Sequence, residues 1–524
     1  MINKDKVLYN GNIITLNRSI PFCEAIYIKD GIIADIGSSE YILSSYVNAP
    51  RYDLMHNTVV PAFFDAHGHF LYDAILNGMF IDVRCAPEGT LDTRESVINK
   101  LKKYSQYKKC KNAVIAFGFD DALLKTEMPS SEALDRISIT KPVIVFHISM
   151  HKLSANSTAI ETAKKEYPDL ISYNTGGIFE GDSILPFVKI AFSDECRKNL
   201  DECIEKCAKH YSRCGISTMC EGSSDFETAD ILEKFIYNRR MQNRCIICPT
   251  LNNGEVPQYK NYKTSRIICG PVKIFADGPF ATYKAYLKQP YYKYANGEYA
   301  NTRGCALLSQ TELYRTMTKI LKSGKSFAVH CNGDAALDNV LAAYAQVDGA
   351  LRRTGRNIVL HCRIASQKQL EEMARLNLYP SFFMPGIYLW GDLHSRLILG
   401  SERAQNMCPL GDAIKSRLKI SIHNDAPVSK VNPVMLIKSA MLRQTPSGTI
   451  LGNTQRISAY EALCAVTVNA AYQYGVDDTL GSIAVNKKAD LVMLNKNILE
   501  TPPEKIDDTI VLGLWINGEN VFTF

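Results

Sequence analysis

Apolar residues follow two different rhythms along this chain. Up to residue 60 they come in short runs, Val7-Leu8-Tyr9, Ile13-Ile14-Thr15-Leu16, Ala25-Ile26-Tyr27-Ile28 and Ile32-Ile33-Ala34-Asp35-Ile36, separated by Asn10-Gly11-Asn12 and Lys29-Asp30-Gly31. Short apolar runs broken by Asn, Asp and Gly predict an antiparallel sheet, because those residues accept the backbone angles of tight turns. The far end has the same texture, with Leu491-Val492-Met493-Leu494, the run 510–516, and Asn517-Gly518-Glu519-Asn520 as a turn before Val521-Phe522. The two ends, residues 1–59 and 480–524, are expected to form one β-sandwich flanking a main domain over 60–479.

Within that main stretch, compact apolar runs alternate with longer amphipathic helical patterns, the arrangement of a parallel α/β fold. Candidate strands are 114–117, 142–146, 216–219, 272–276, 327–330, 358–361 and 420–423. Several end in His, Lys or Asp, and in a (β/α)8 barrel the C-terminal strand ends carry the active site. The run Val59-Val60-Pro61-Ala62-Phe63-Phe64 reads as one further apolar strand leading into Asp65-Ala66-His67-Gly68-His69. No internal repeat or low-complexity segment interrupts the pattern.

Composition narrows the class of protein. The chain has 524 residues, 46% hydrophobic and 22% charged, with a net charge of +6. These are ordinary globular values, and the Lys and Arg residues are scattered, so no nucleic-acid stripe is present. No run approaches the roughly 20 apolar residues of a membrane helix. The 16 cysteines have no regular spacing, and no apolar signal core follows Met1-Ile2-Asn3-Lys4. A reducing cytoplasm is the expected compartment. Cys245 and Cys248 have CxxC spacing inside a strand-like run, without the second pair that a zinc knuckle needs.

The candidate chemistry lies at the strand ends. Residues i and i+2 of an extended chain share a face, so His67 and His69 can converge on one cation. His330 and His361 each end an apolar run and supply further imidazoles. A single strand-end His is usually a hydrogen-bonded structural residue; four together point to a metal site. Asp425, closing Ile422-His423-Asn424-Asp425, can bind a cation and exchange a proton with its water, or can simply form the turn before Pro427. Lys273 lies within the apolar run Val272-Lys273-Ile274-Phe275, where a buried ammonium must be paired, neutralised or altered, unless the strand is an edge that lets it reach water.

The series Pro61-Ala62-Phe63-Phe64-Asp65-Ala66-His67-Gly68-His69, Lys273 ahead of Asp277-Gly278, His330, His361 and Asp425 resembles the amidohydrolase superfamily. The resemblance narrows to its YtcJ-like branch, amidohydrolase family 3, which includes N-substituted formamide deformylases. The segments Phe117-Gly118-Phe119-Asp120, His151 with Asn156-Ser157-Thr158-Ala159, 175–180, Gly215-Ile216-Ser217-Thr218, Trp390-Gly391-Asp392 and 481–492 carry it.

The resemblance implies a (β/α)8 barrel with residues 75–200 as an insertion over its mouth. It implies a metal site of His67, His69, Lys273, His330, His361 and Asp425, with Asp425 as the catalytic proton carrier and Lys273 carboxylated where two ions are bound. Zinc is the expected metal, one or two ions, with manganese or iron as alternatives. His151, Asn156, Phe119, Asp120 and Trp390 are the expected pocket residues, although helix capping is an equal reading for His151 and Asn156. Phe70, Phe80, Phe280 and Tyr388 are further aromatics, each to be set against an ordinary core role.

The expected reaction is hydrolysis of an amide, cyclic amide or N-formyl or N-acyl amine of a small molecule. A ring deaminase and a non-catalytic scaffold relative are the alternatives, and a homodimer is one assembly left open. Ala62, Asp120, Glu221 and His423-Asn424 depart from the family pattern, and all lie around the pocket rather than among the expected ligands.

Overall fold

The computed structural model describes residues 5–107, 112–171, 176–192, 194–294, 297–353 and 355–523. Thr175, the first residue of the 175–180 segment, lies outside them.

Two sheets are built from the chain ends. In the first, Ile32–Gly37, Ala25–Lys29, Lys6–Tyr9 and Arg51–Asp53 are neighbours in that order. The second runs Glu519–Thr523, Val511–Ile516, Leu491–Leu494, Thr58–Pro61, Asn12–Ile14 and Phe22–Cys23. A strand from the C-terminal end thus pairs with one from the N-terminal end, with Val492 opposite Val60. The sheets share one buried cluster, to which Leu8, Ile26 and Ile33 contribute from the first and Ile13, Val59, Leu491 and Trp515 from the second. A short helix, Ser39–Ser45, capped by Ser38, breaks the strand-rich pattern expected there.

The interior of the chain forms two parallel sheets. One contains Phe63–Phe64, Ile216–Ser224, Arg244–Pro249 and Ile267–Cys269. The other contains Val272–Phe275, Phe327–Cys331, Asn357–His361, Leu378–Phe383 and Ser421–His423. Thr250 bridges Lys273 in the parallel sense. At the other margin the Asp425 amide donates to the His67 carbonyl at 3.1 Å and the His69 amide to the Ala426 carbonyl at 2.7 Å.

Alternate residues along these strands enter different clusters. Phe64, Cys220, Ile246, Ala328, Ile358 and Leu360 pack together. Cys245, Val272, Ile274, Val329 and Val359 join the large cluster that includes Leu313, Met317, Val340, Leu370 and Met373. Those last five come from the helices Gln310–Lys322, Asp334–Ala345 and Gln367–Leu376. This is the two-residue period of a strand covered on one side by helices.

The structure departs from the expected elements at three further places. The run 59–64 is two strands: Thr58–Pro61 belongs to the outer six-stranded sheet, and Phe63–Phe64 to a parallel one. At Ala62, between them, the amide turns to the Asp490 carbonyl. Val114–Phe119 and Val143–His147 lie in a separate five-stranded sheet with Ile81–Asp82, Lys152–Ala155 and Ile178–Glu180. The antiparallel return of Lys152–Ala155 on Val143–His147 sets that sheet apart. Leu378–Phe383 is a strand that the pattern conceals, because Pro380 lacks an amide donor and interrupts the apolar run. Cys245 and Cys248, three apart on one strand, point to opposite faces and into different clusters, which excludes a knuckle. Among the described residues no helix is long and apolar enough to cross a membrane.

Arg244, fully buried on a parallel strand, makes an ion pair with Asp490 and a hydrogen bond to Asn517, tying that sheet to the C-terminal strands. Removing one member of a buried pair leaves the other charge without compensation. Asp490→Ala is expected to cost about 3–5 kcal/mol, read as a lower urea midpoint.

Candidate metal centre

The His67 and His69 pair does not sit on an extended face, as its spacing suggested. The strand stops at Phe64, and the chain from Asp65 to His69 is held from both sides by backbone bonds. The Asp65 amide donates to Thr218, the Gly222 amide to the Gly68 carbonyl, and Asp425 and Ala426 bind the His67 carbonyl and the His69 amide. The His67 ring lies directly against Gly222, where an added Cβ would be 2.3 Å from its Cε1 atom. His69 immediately precedes the helix Phe70–Met79. Glu221, buried beside it, accepts from the Leu71 amide at 2.7 Å, and burial pushes its carboxyl up to about 7.

The other expected residues gather around this pair. Lys273 is 2% exposed, with Nζ 3.3 Å from His67 Nε2, so it does not reach solvent from an edge. The His361 ring is 5.3 Å from that of His67 and 4.6 Å from that of His330. His330 Nδ1 lies 3.3 Å from Asp277, whose carboxylate accepts from the amides of Asn332, Gly333 and Tyr286. His361, Cys362 and Asp425 have φ of 68°, 41° and 56°, a left-handed backbone that costs about 1–3 kcal/mol per residue and is typical of functional sites.

A fifth imidazole belongs to the cluster. His423 Nε2 is 3.2 Å from His361 Nδ1, and its Nδ1 is 2.9 Å from Ser381 Oγ. The sequence drew attention to His423 only as a departure from the family pattern. Its position two residues before Asp425 on a strand was the available signal.

Asp425 Oδ1 is buried without a hydrogen-bond partner. It lies 3.4 Å from His67 Nε2 and 3.5 Å from His69 Nε2. A cation bonded to nitrogen and oxygen donors at about 2.0–2.2 Å sets them roughly 3.0–3.5 Å apart, so the three atoms fit one. Burial holds His67 and His361 well below the ordinary imidazole range, and the charge of Lys273 adds to the effect at both. Burial takes His423 down to about 3. These three imidazoles are therefore neutral, with lone pairs free to bind a cation. Burial pushes the Asp425 carboxyl up, but His69, His423 and Lys273 more than reverse this, leaving it below its ordinary value and ionised.

The expected pocket residues divide. Trp390 donates to Asp120 at 2.7 Å and stacks on Phe383, whose ring is 6.2 Å from His361 and 5.9 Å from His423. Both line one crevice beside the centre with Arg84, Glu88 and Gly118. His151 is exposed, and partial burial of its ring with the charges of His330 and Lys284 lowers its pKa.

Phe119 does not face a pocket; it is wholly buried among Val97, Leu134 and Val143. Asn156 does not either. Its side chain accepts from Val143 and Ala159 and donates to Ser138 and Lys141, which exhausts it in capping a helix at the far end of the strand from His147. Phe70 and Phe80 are likewise core residues. Asp120, Asp121 and His147 also lie close enough to suggest a second cation site. Trp390 already binds Asp120, while Lys152 forms an ion pair with Asp121 and His147 lies 3.3 Å from it.

The sequence profile of the amidohydrolase family matches residues 52–522. The chain belongs to this family. It is 23% identical to the N-substituted formamide deformylase of Arthrobacter pascens, across 98% of each chain. It is also 23% identical to YtcJ of Bacillus subtilis, across 98% of this chain and 99% of that one. An uncharacterized metal-dependent hydrolase of Pyrococcus horikoshii, 21% identical, superposes with a TM-score of 0.76 over 95% of this chain and 99% of its own. This amidohydrolase thus shares the α/β fold of a metal-dependent hydrolase, and its donor cluster suits a divalent cation.

Gly222→Ala tests the local geometry, since the new methyl group displaces the His67 ring. Cation affinity, measured by competition with a chelator, is expected to fall about 10–100-fold.

Proposed function

We propose that this amidohydrolase cleaves a C–N bond in a small-molecule amide, cyclic amide or N-formyl or N-acyl amine. The observation carrying this reading is the unpartnered Asp425 Oδ1 facing the Nε2 atoms of His67 and His69. The deformylase of Arthrobacter pascens among its relatives favours a C–N bond. On this reading the eight parallel strands, from Phe63–Phe64 through Ser421–His423 and leaving out the short Ile267–Cys269, close into a (β/α)8 barrel. The Thr250–Lys273 bridge and the Asp425–His67 bond are its seams. Residues 75–200 are its cover, and the two outer sheets a sandwich beside it.

His67, His69, Lys273, His330, His361 and Asp425 hold the cation, with zinc as the resident metal and manganese or iron as alternatives. A cation held there would polarise the substrate carbonyl and acidify water. Asp425, whose anion the His69 ring favours, accepts a proton from the attacking water and returns it to the leaving nitrogen. Burial lowers the Lys273 amine to about 8, so a useful share is uncharged near neutral pH. That amine can attack carbon dioxide, forming an N–C bond and releasing a proton, and the resulting carboxylate would add an anionic donor to the centre. His151, Asp120 and Trp390 face the substrate. The cytoplasm is the proposed compartment, in keeping with 14 free cysteines among the described residues.

Asp425→Asn is expected to lower kcat by about 10²–10⁴-fold on any amide that the native protein cleaves, with folding unchanged by circular dichroism. A near-native rate would remove Asp425 from proton transfer. Release of ammonia without an acid product would identify a deaminase instead. The intact-protein mass at pH 8 is expected to exceed the sequence mass by one carbon dioxide, and Lys273→Met to abolish that excess.

A further inference from the structure

We infer that the substrate of this site carries a carboxylate, and that Arg363 binds it. The inference rests on the amide-hydrolase reading and narrows its substrate to a carboxylate-bearing amide, such as an N-formyl or N-acyl amino acid.

Four arginines are buried among the described residues: Arg84, Arg244, Arg363 and Arg443. Three have their charge met by protein. Arg84 pairs with Asp82 and donates to Asn77, Arg244 pairs with Asp490, and Arg443 gives hydrogen bonds to the carbonyls of Leu451, Cys408 and Met407. Arg363 is the exception. It is 7% exposed, and among the described residues no carboxylate lies within ion-pair distance of it. Its one hydrogen-bonded nitrogen is Nη2, which donates to His394 Nε2 at 2.9 Å. His394 Nδ1 lies 2.9 Å from the Gly386 carbonyl, which makes Nδ1 the protonated nitrogen and Nε2 the acceptor. Nε has no partner, and Nη1 makes no hydrogen bond among the described residues. A guanidinium keeps its charge at neutral pH even when buried. A buried cation without an anion is costly, and a guanidinium fork matches a carboxylate in both geometry and charge.

The position of Arg363 ties this unmet charge to the metal centre. It follows His361 by two residues, after the two left-handed residues at which the chain leaves its strand. The guanidinium lies over the ring of Phe280 at 4.6 Å and that of Phe383 at 5.2 Å. Phe383 is the ring that also touches His361 and His423. An anion at Arg363 is therefore within a small molecule's length of the carbonyl to be cleaved. Asp425 cannot meet this charge, since on the reading above its carboxylate binds the cation. A single guanidinium with two free donors suits a carboxylate better than a phosphate dianion, which calls for further cations.

The test uses the full-length protein loaded with zinc or manganese and matched pairs of amides. Each pair has an N-formyl or N-acetyl amino acid and the amide that lacks only its carboxylate, with a phosphonate analogue as a third member. The native protein is expected to prefer the carboxylate member by about 30-fold or more in kcat/KM. Arg363→Met is expected to reduce that ratio to about 3-fold or less, and Arg363→Lys to retain part of it. A native ratio near one on cleaved amides overturns the carboxylate site and leaves the hydrolase reading intact; because it needs no variant, loss of folding cannot obscure it. A preference for the phosphonate also overturns it. If neither amide is cleaved, calorimetry with the N-acyl amino acid decides: Arg363-dependent binding supports the carboxylate site while the hydrolase reading fails, and absence of binding overturns both.

Discussion

Two backbone hydrogen bonds carry the centre: from the Asp425 amide to the His67 carbonyl, and from the His69 amide to the Ala426 carbonyl. They join segments more than 350 residues apart in sequence and place a carboxylate between two imidazoles. Gly222 makes room for one of those rings, and Glu221 accepts from the first turn of the helix that follows the other. The side-chain distances of 3.4 and 3.5 Å at Asp425 are thus consequences of main-chain pairing, which is stiffer than any side-chain contact alone.

Burial then sorts the ionisable groups by charge. Behind the histidines, Asp65, Asp73 and Glu221 are pushed up to about 8, 6 and 7. The imidazoles of His67, His361 and His423 are pushed down instead. In one low-dielectric region acids tend to neutral forms and so do bases, and Asp425 alone of these carboxylates is held as an anion by its neighbours. Arg363 keeps a charge that the protein does not answer, which marks where the interior is completed from outside.

Much of this was legible along the chain. Lys273, His330, His361 and Asp425 stand out because each polar residue interrupts or ends an apolar run, and a strand end is where such a residue can turn toward a shared point. Other features needed tertiary information. The change of sheet at Ala62 is invisible because apolar residues continue on both sides of it. Leu378–Phe383 is masked by Pro380. Asn156 and Phe119 match a recognisable pattern, yet one spends every hydrogen bond on backbone and the other packs into a core. His423 reads as a spacer before Asp425 until the strand two places away in the sheet brings His361 to 3.2 Å. Arg363 looks unremarkable until burial shows that no acid accompanies it.

The change of sheet at Ala62 also bears on the order in which the molecule can assemble. The strand Thr58–Pro61 is among the first made during synthesis, yet its neighbour on one side, Leu491–Leu494, is among the last. Until that strand emerges, the chain that leads into His67 and His69 has an open edge. The partners of those histidines at Asp425 and Ala426 are also still to come. Closure of such distant contacts is slow relative to local folding. A nascent or truncated chain therefore has His67 and His69 without the carboxylate that faces them, and cation capture becomes a late event that reports a finished molecule.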